Sequence, residues 1–225
     1  MNVWLTPAQR TKLDPSADTL FYDVPRFVTH VDEGFIRQLR DLYQQTLPAQ
    51  GRILDLMSSW VSHLPAEMPF AHVEGHGLNA EELAANPRLD HYFVQDLNRD
   101  PYLPLADASF DAVLNTVSVQ YLQQPEVVLA EIARILKPGG QVIISFSNRM
   151  FYHKAIQAWR DNSEAGRVAL VKAYLAQTPD FVDIRVVQQA GVGMGGWLGR
   201  WLGEGGDPFY AVVGQKAGHQ GPNPA

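Results

Sequence analysis

The stretch PEVVLAEIARILKPGGQVIISFS, residues 125–147, decides the fold. Pro125 stands where the first position of a helix would fall, and its fixed φ suits that position. Val128, Leu129, Ile132, Ile135 and Leu136 then recur at helical spacing. Lys137-Pro138-Gly139-Gly140 predicts a hard stop. Gln141–Ser147 follows as an apolar run bounded by turn formers, the pattern of a buried strand. Just upstream, Phe110–Thr116 (FDAVLNT) reads as another strand. Strand, helix, strand in that order require a crossover, so these two strands are expected to run parallel.

Working outward, the same alternation continues. Asp32 is placed to cap a helix reaching about Leu47, with Phe35, Leu39, Leu42 and Tyr43 on one stripe. Strands are predicted at Ile53–Met57, at Ala71–Gly75 and at His91–Val94, with a short helix capped by Asn79. After residue 147 a helical stretch is expected to about Trp159, then another over Glu164–Leu175. Val182–Val187 and Phe209–Gly214 read as strands without a crossover helix between them, so an antiparallel hairpin fits there. The expected class is α/β, a doubly wound, mostly parallel seven-stranded sheet with helices on both faces and that C-terminal hairpin. We expect one domain over 1–217. Within it, 1–48 form an N-terminal substrate-side segment and helix, and 191–206 a Gly- and Trp-containing lid loop. The remaining 218–225 read as a disordered tail. In such sheets ligands bind beyond the carboxyl ends of the strands, where strand order reverses.

Composition narrows the chemistry. The 225 residues include no cysteine, which removes disulfides, thiolate zinc sites and a cysteine nucleophile. A net charge of −6 with no basic run argues against nucleic acid as a partner, since that affinity comes from Lys and Arg on phosphates. No apolar stretch approaches the roughly 20 residues of a membrane span, and no signal peptide is visible, so a cytoplasmic protein without stable membrane insertion is expected. There is no G-x-G-x-x-G for a dinucleotide and no G-x-S-x-G for a hydrolase. His72 and His76 have a metal-like spacing only on a helix, whereas their segment reads as a strand, so no metal is expected.

The loops beyond the strands carry a resemblance. Ile53–Met57 with Asp55, Gln95-Asp96-Leu97, Leu103-Pro104-Leu105, Ser109-Phe110-Asp111-Ala112-Val113 and Leu129–Gly140 (LAEIARILKPGG) follow one another. This order resembles class I S-adenosylmethionine-dependent methyltransferases, in particular small-molecule enzymes like those acting on quinone precursors. The resemblance runs from about Leu42 to Phe151. It implies a Rossmann-like methyltransferase fold, S-adenosyl-L-methionine as cofactor and a small-molecule substrate; a homodimer is compatible with it. The chain departs from the family at two points. The usual Gly-rich turn reads Met57-Ser58-Ser59-Trp60, and the acid expected at the end of the second strand aligns with Gly77. Asn79 and Glu74 are the nearby polar groups that would compensate.

The resemblance places Asp55, Met57, Ser58, Ser59, Gly77, Asn79, Asp96, Leu97, Asn115, Val117 and Ser118 around the cofactor. Asp55 would contact its amino group or cap the loop. Asp96 would face the adenine amino group, with Leu97 against the ring, or form a plain turn. Tyr22, Arg26, Tyr121, Arg149 and Trp197 are the substrate-side candidates. Arg149 would pair with an anion or form a surface ion pair, and Tyr121 would be core or pocket. Tyr22 and His30 are the candidate general bases should the acceptor be protonated. With the glycine turn and acid both gone, the alternative is a non-catalytic relative that binds a metabolite or a protein. Trp60 or Met57 filling the cleft would favour that reading, and an open cleft between Met57 and Thr116 would favour an enzyme.

Overall fold

In the computed structural model, which describes residues 5–189 and 206–218, the chain enters through an N-terminal arm. The arm contains one 3-10 turn, Ala8–Arg10, and a single helical turn, α1 (Asp18–Phe21). Helix α2 (Glu33–Thr46) follows, capped by Asp32, whose Oδ1 accepts the Phe35 N–H at 2.8 Å. Then come β1 (Arg52–Leu56), β2 (His72–Gly77), α3 (Ala80–Ala85), β3 (His91–Val94) and β4 (Phe110–Thr116). The chain continues through α4 (Pro125–Ile135), β5 (Leu136–Phe146), α5 (Gln157–Arg160), α6 (Glu164–Ala176), β6 (Phe181–Gln189) and β7 (Phe209–Lys216).

The seven strands form one sheet in the order β3-β2-β1-β4-β5-β7-β6. The pairs up to β5 are parallel, while β7 is antiparallel to both β5 and β6. Successive strand residues alternate between two cores. Leu54, Val113 and Ile144 join α4, α6 and Trp159 on one face, and Ile53, Leu114 and Ile143 join α2 on the other. Burial on both faces explains why these strands read as continuous apolar runs. Strand order reverses between β1 and β4, which fixes the crevice there.

Four sequence expectations need correction. Strand β1 ends one residue earlier than expected, because the Met57 N–H leaves the ladder for His76 Nδ1 (3.1 Å). Strand β2 runs on through Gly75 to Gly77. Gly75 is not a turn glycine; a Cβ there would stand 2.3 Å from the Leu89 side chain. Strand β5 begins at Leu136, not Gln141. The Lys-Pro-Gly-Gly segment forms an irregularity within it, so Phe110 pairs with Leu136 but Ala112 pairs with Gln141. Finally, only Gln157–Arg160 is helical in the stretch expected to be a helix to Trp159. Lys154 and Ala155 N–H make a local turn on Phe151 O, but three other donors go elsewhere: Phe151 N–H to the Tyr121 hydroxyl, Ile156 N–H to Gln120 O and Gln157 N–H to Thr11 O. The expected lid loop, apart from Gly206, and the tail beyond Gly218 lie outside the described residues.

Candidate functional site

Beyond the carboxyl ends of β1, β2, β3 and β4 lies an open cleft of about 1170 Å³, counted to its mouth. Asp55, the fourth residue of β1, is 4% exposed at its floor. Burial pushes its carboxyl up to about 6, and hydrogen bonds from Ser58 and Ser62 restrain the rise. The Ser58 hydroxyl donates to it at 2.5 Å. Both Met57 (φ 59°) and Val117 (φ 51°), just past the ends of β1 and β4, adopt the left-handed conformation. That conformation costs an L-residue roughly 1–2 kcal/mol, and such strain gathers at binding sites. The turn that glycine usually makes is therefore made here, by a methionine.

His76 ties three strand ends together. Its Nδ1 accepts the Met57 N–H, and its Nε2 lies 2.9 Å from Gln95 O. A carbonyl only accepts, so Nε2 carries the hydrogen and the ring is neutral. Burial agrees, pushing its pKa down to about 4. The other member of the histidine pair, His72, faces Glu74 at 2.8 Å instead.

The two departures from the family pattern meet in space. The Ser58 N–H donates to His76 O at 2.6 Å, drawing the β1 loop onto the end of β2. A Cβ at residue 77 would then meet Ser58 O at 2.6 Å, against backbone that has little room to yield. A glycine-less loop in this position leaves room only for glycine at 77, and so excludes an acid there.

Neither compensating group lies free in the cleft. Glu74 sits within β2 and faces His72 and His91 (2.8 and 2.5 Å). Asn79 does line the cleft. Its Oδ1 caps α3 by accepting the Glu82 N–H (3.0 Å), and its Nδ2 holds Tyr22 O and Asp23 O (2.9 and 3.1 Å). A further carboxylate in the wall, beside Asp55 and Asp96, is Glu82, buried in the first turn of α3. It accepts the Ser59 hydroxyl at 2.5 Å and the Arg26 N–H at 2.6 Å. Sequence reasoning missed it because an acid in a first helical turn is explained by the helix dipole alone.

The other expected residues divide. Asp96 and Leu97 reach the wall; Asp96 also makes the turn, accepting the Asn98 N–H at 3.0 Å. Ser118 lines the cleft with its buried hydroxyl unpartnered. Asn115 is buried behind it and outside the lining, donating to Leu56 O at 3.3 Å with its Oδ1 unpartnered. Tyr121 lies in both core and wall, accepting the Phe151 N–H at 2.8 Å. Arg149 is not in the lining; its Nε donates to Asp207 at 2.7 Å. Trp197 lies outside the described residues.

Tyr22, Arg26 and His30 form part of the wall because the arm folds across the cleft. Two ion-pair groups pin that arm. Arg10 binds Glu126 at 2.5 Å, and the buried Lys154 binds Asp14 at 3.0 Å and Asp18 at 3.5 Å. Asp18 is also held by Lys12 at 2.5 Å. Asn98 knots arm to sheet by donating to Asp18 and Tyr121 O, while its Oδ1 accepts the Gln123 N–H. Trp60 donates to Val28 O at 3.1 Å and meets the Phe27 ring edge-on, so it stands in the wall and the cleft stays open.

This architecture is a Rossmann-like fold shared with solved methyltransferase structures. Within it, residues 68–144 match the family model described as a methyltransferase domain. A malonyl-[acyl-carrier protein] O-methyltransferase of Erwinia pyrifoliae is 31% identical over 105 residues, 47% of this chain and 35% of that protein. A demethylmenaquinone methyltransferase of Renibacterium salmoninarum is 42% identical over 50 residues, covering 22% of this chain and 21% of its own length. The chain thus spans about a third or less of these curated relatives. Among solved structures, a chain of the complex between the Haloferax volcanii Trm112 methyltransferase activator and its methyltransferase-like partner superposes with a TM-score of 0.55 at 17% identity. That match covers 91% of this chain and 95% of that one, and carries the fold alone. Among the described residues no helix is long and apolar enough to cross a membrane.

Proposed function

We propose that this chain transfers a methyl group from S-adenosylmethionine to a small molecule. One observation carries the reading: at the point of strand reversal, an open cleft brings Asp55, Glu82 and Asp96 together with the buried, unpartnered Ser118 hydroxyl. The cofactor offers an ammonium, two ribose hydroxyls and an adenine amino group, all donors that need acceptors, and carboxylates are strong ones. When bound, it supplies a methyl group already activated by the sulfonium. We assign Asp96, with Leu97, to the adenine end, and Asp55 through the Ser58 loop to the amino-acid end. Glu82 takes the ribose role that the family gives to the residue at Gly77. A relative named for demethylmenaquinone supports a small-molecule acceptor, and one named for malonyl-[acyl-carrier protein] supports a small acyl group, there carried by a protein.

The chain's own residues have three tasks. The cleft walls orient the acceptor, which is worth much of the barrier in a displacement of this kind. The arm and the Tyr22, Trp60 and Phe151 rings keep water from the methyl group. If the acceptor is protonated, His30 is the better base of the two candidates. Desolvation lowers its pKa, so the ring is neutral and able to accept a proton near pH 7. Burial raises the Tyr22 phenol well above its ordinary range, so it stays protonated.

Calorimetric titration with S-adenosylmethionine and S-adenosylhomocysteine tests the reading. We expect saturable binding, and about 2.7 kcal/mol of stabilisation at a hundredfold excess over Kd. Absence of both heat and melting shift at millimolar ligand would sink it.

A further inference from the structure

The cleft is unbalanced in charge. Among the described residues of its wall, Asp18, Asp55, Glu82 and Asp96 are acids, and Arg26 is the one lysine or arginine. The Arg26 guanidinium lies among three aromatic rings, 4.5 Å from the Phe21 centroid, 5.6 Å from Phe151 and 5.7 Å from Tyr22. Its Nη2 donates to Phe21 O at 2.8 Å. Its Nη1 is buried and has no hydrogen-bond partner. Leaving a buried, charged donor unpaired is costly, and guanidinium is the side chain best shaped to grip a carboxylate.

The acids beside it are already engaged. Glu82 accepts the backbone N–H of Arg26 and the Ser59 hydroxyl, and Asp18 faces Lys12 and Lys154. No carboxylate of the described residues lies within ion-pair distance of the Arg26 guanidinium. An anion entering the cleft therefore meets repulsion at the other charged positions and one unsatisfied cation. Its surroundings are aromatic as well as cationic. The Phe151 ring meets Phe21 and His30, each at 5.1 Å, and Tyr121 at 6.1 Å.

We propose that the acceptor substrate is an apolar, aromatic-sized compound bearing a carboxylate, and that the Arg26 guanidinium turns to receive that carboxylate. The inference rests on the methyl-transfer reading and deepens it by naming the chemical class of the acceptor. Arg26 is then a specificity-determining residue: the rings hold the body of the substrate, and the guanidinium selects the charge.

The test compares cinnamate with its neutral isostere cinnamamide, by calorimetry on the S-adenosylhomocysteine-saturated protein, in wild type, Arg26→Lys and Arg26→Met. A wild-type preference for cinnamate of about tenfold or more is expected for a charge-assisted contact. Arg26→Met should bring cinnamate to the affinity of the amide, Arg26→Lys should fall between, and S-adenosylhomocysteine affinity should be unchanged throughout. Equal binding of acid and amide to the wild type, or no binding of either, overturns the proposal while the methyl-transfer reading stands. Weakened S-adenosylhomocysteine with unaltered 5′-methylthioadenosine, which lacks the amino-acid tail, overturns it too, because the carboxylate at Arg26 would be the cofactor's. If S-adenosylhomocysteine fails to bind the wild type, methyl transfer falls first. The acid–amide comparison on the free protein then still decides Arg26. Melting temperatures of the variants confirm that each is folded.

Discussion

Replacing Asp55 by Asn should make the ligand-free protein more stable and its cofactor binding worse. Asp55 lies at the floor of the cleft, 4% exposed, and burial lifts its carboxyl from an ordinary 3.8 to about 6. Because the folded pKa is the higher one, the folded chain keeps a proton that the unfolded chain releases between about pH 4 and pH 6. Stability therefore falls as pH rises through that window, and above it the folded state carries a desolvated charge. At 1.36 kcal/mol per pH unit, the gap from 3.8 to about 6 corresponds to about 3 kcal/mol. Asn is neutral at every pH, and its carbonyl can still accept the Ser58 hydroxyl. The assay is urea unfolding of both proteins from pH 4 to pH 8, read as the difference between them. The difference matters because His63 and His76, both lowered to about 4 by burial, titrate over an overlapping range with the opposite sign. They make the folded state less stable as pH falls from about 6.5 to 4, and subtraction removes them. Asp55→Asn should gain about 1–3 kcal/mol on wild type at pH 8, with the gain gone at pH 4. A difference that stays flat across the range would refute the argument from desolvation.

Two further outcomes follow from the packing around the cleft. Gly77→Ala pushes a Cβ against Ser58 O and should cost about 1–3 kcal/mol together with measurable S-adenosylhomocysteine affinity, seen by melting and by titration. Wild-type values for both would show that the β1 loop yields freely. Lys154→Met takes a buried cation from beside Asp18, which keeps Lys12, and the ion-pair partner from the partly exposed Asp14, and should cost about 1–3 kcal/mol. It should also speed proteolytic cleavage within the arm, and an arm as resistant as that of the wild type would contradict its role as a pin.

What could be read from the chain depended on whether local chemistry decided the outcome. Pro125 at the first position of α4, Asp32 and Asn79 as caps, and the bounds of β3 and β4 were legible because each is fixed within a few residues. The course of residues 148–156 was not. The donors of Phe151, Ile156 and, just after it, Gln157 go to Tyr121, Gln120 and Thr11, partners remote in sequence that no helical periodicity reveals. At the cleft, the loss of the loop glycines and the loss of the second-strand acid looked like two separate defects. Only the 2.6 Å approach of Ser58 O to the place of a side chain at 77 joins them. Glu82 was hidden for a related reason, since its role depends on the arm that brings Arg26 to it.

The Asp32–Asp207 pairing has a consequence for how the molecule is assembled. Each carboxylate accepts the other residue's backbone N–H, at 3.0 and 2.7 Å, across 175 positions of sequence, and Arg149 steadies Asp207 from the side. Asp207 lies two residues before β7, the strand inserted between β5 and β6. The parallel half of the sheet can pair earlier, but this latch has nothing to close on until the C-terminal strand is seated. Contacts of such long range are formed late, because the loop they close must first be ordered. The latch is accordingly among the last contacts completed as the chain folds, whereas the pins of the arm, on Glu126 and Lys154, need no strand beyond β5.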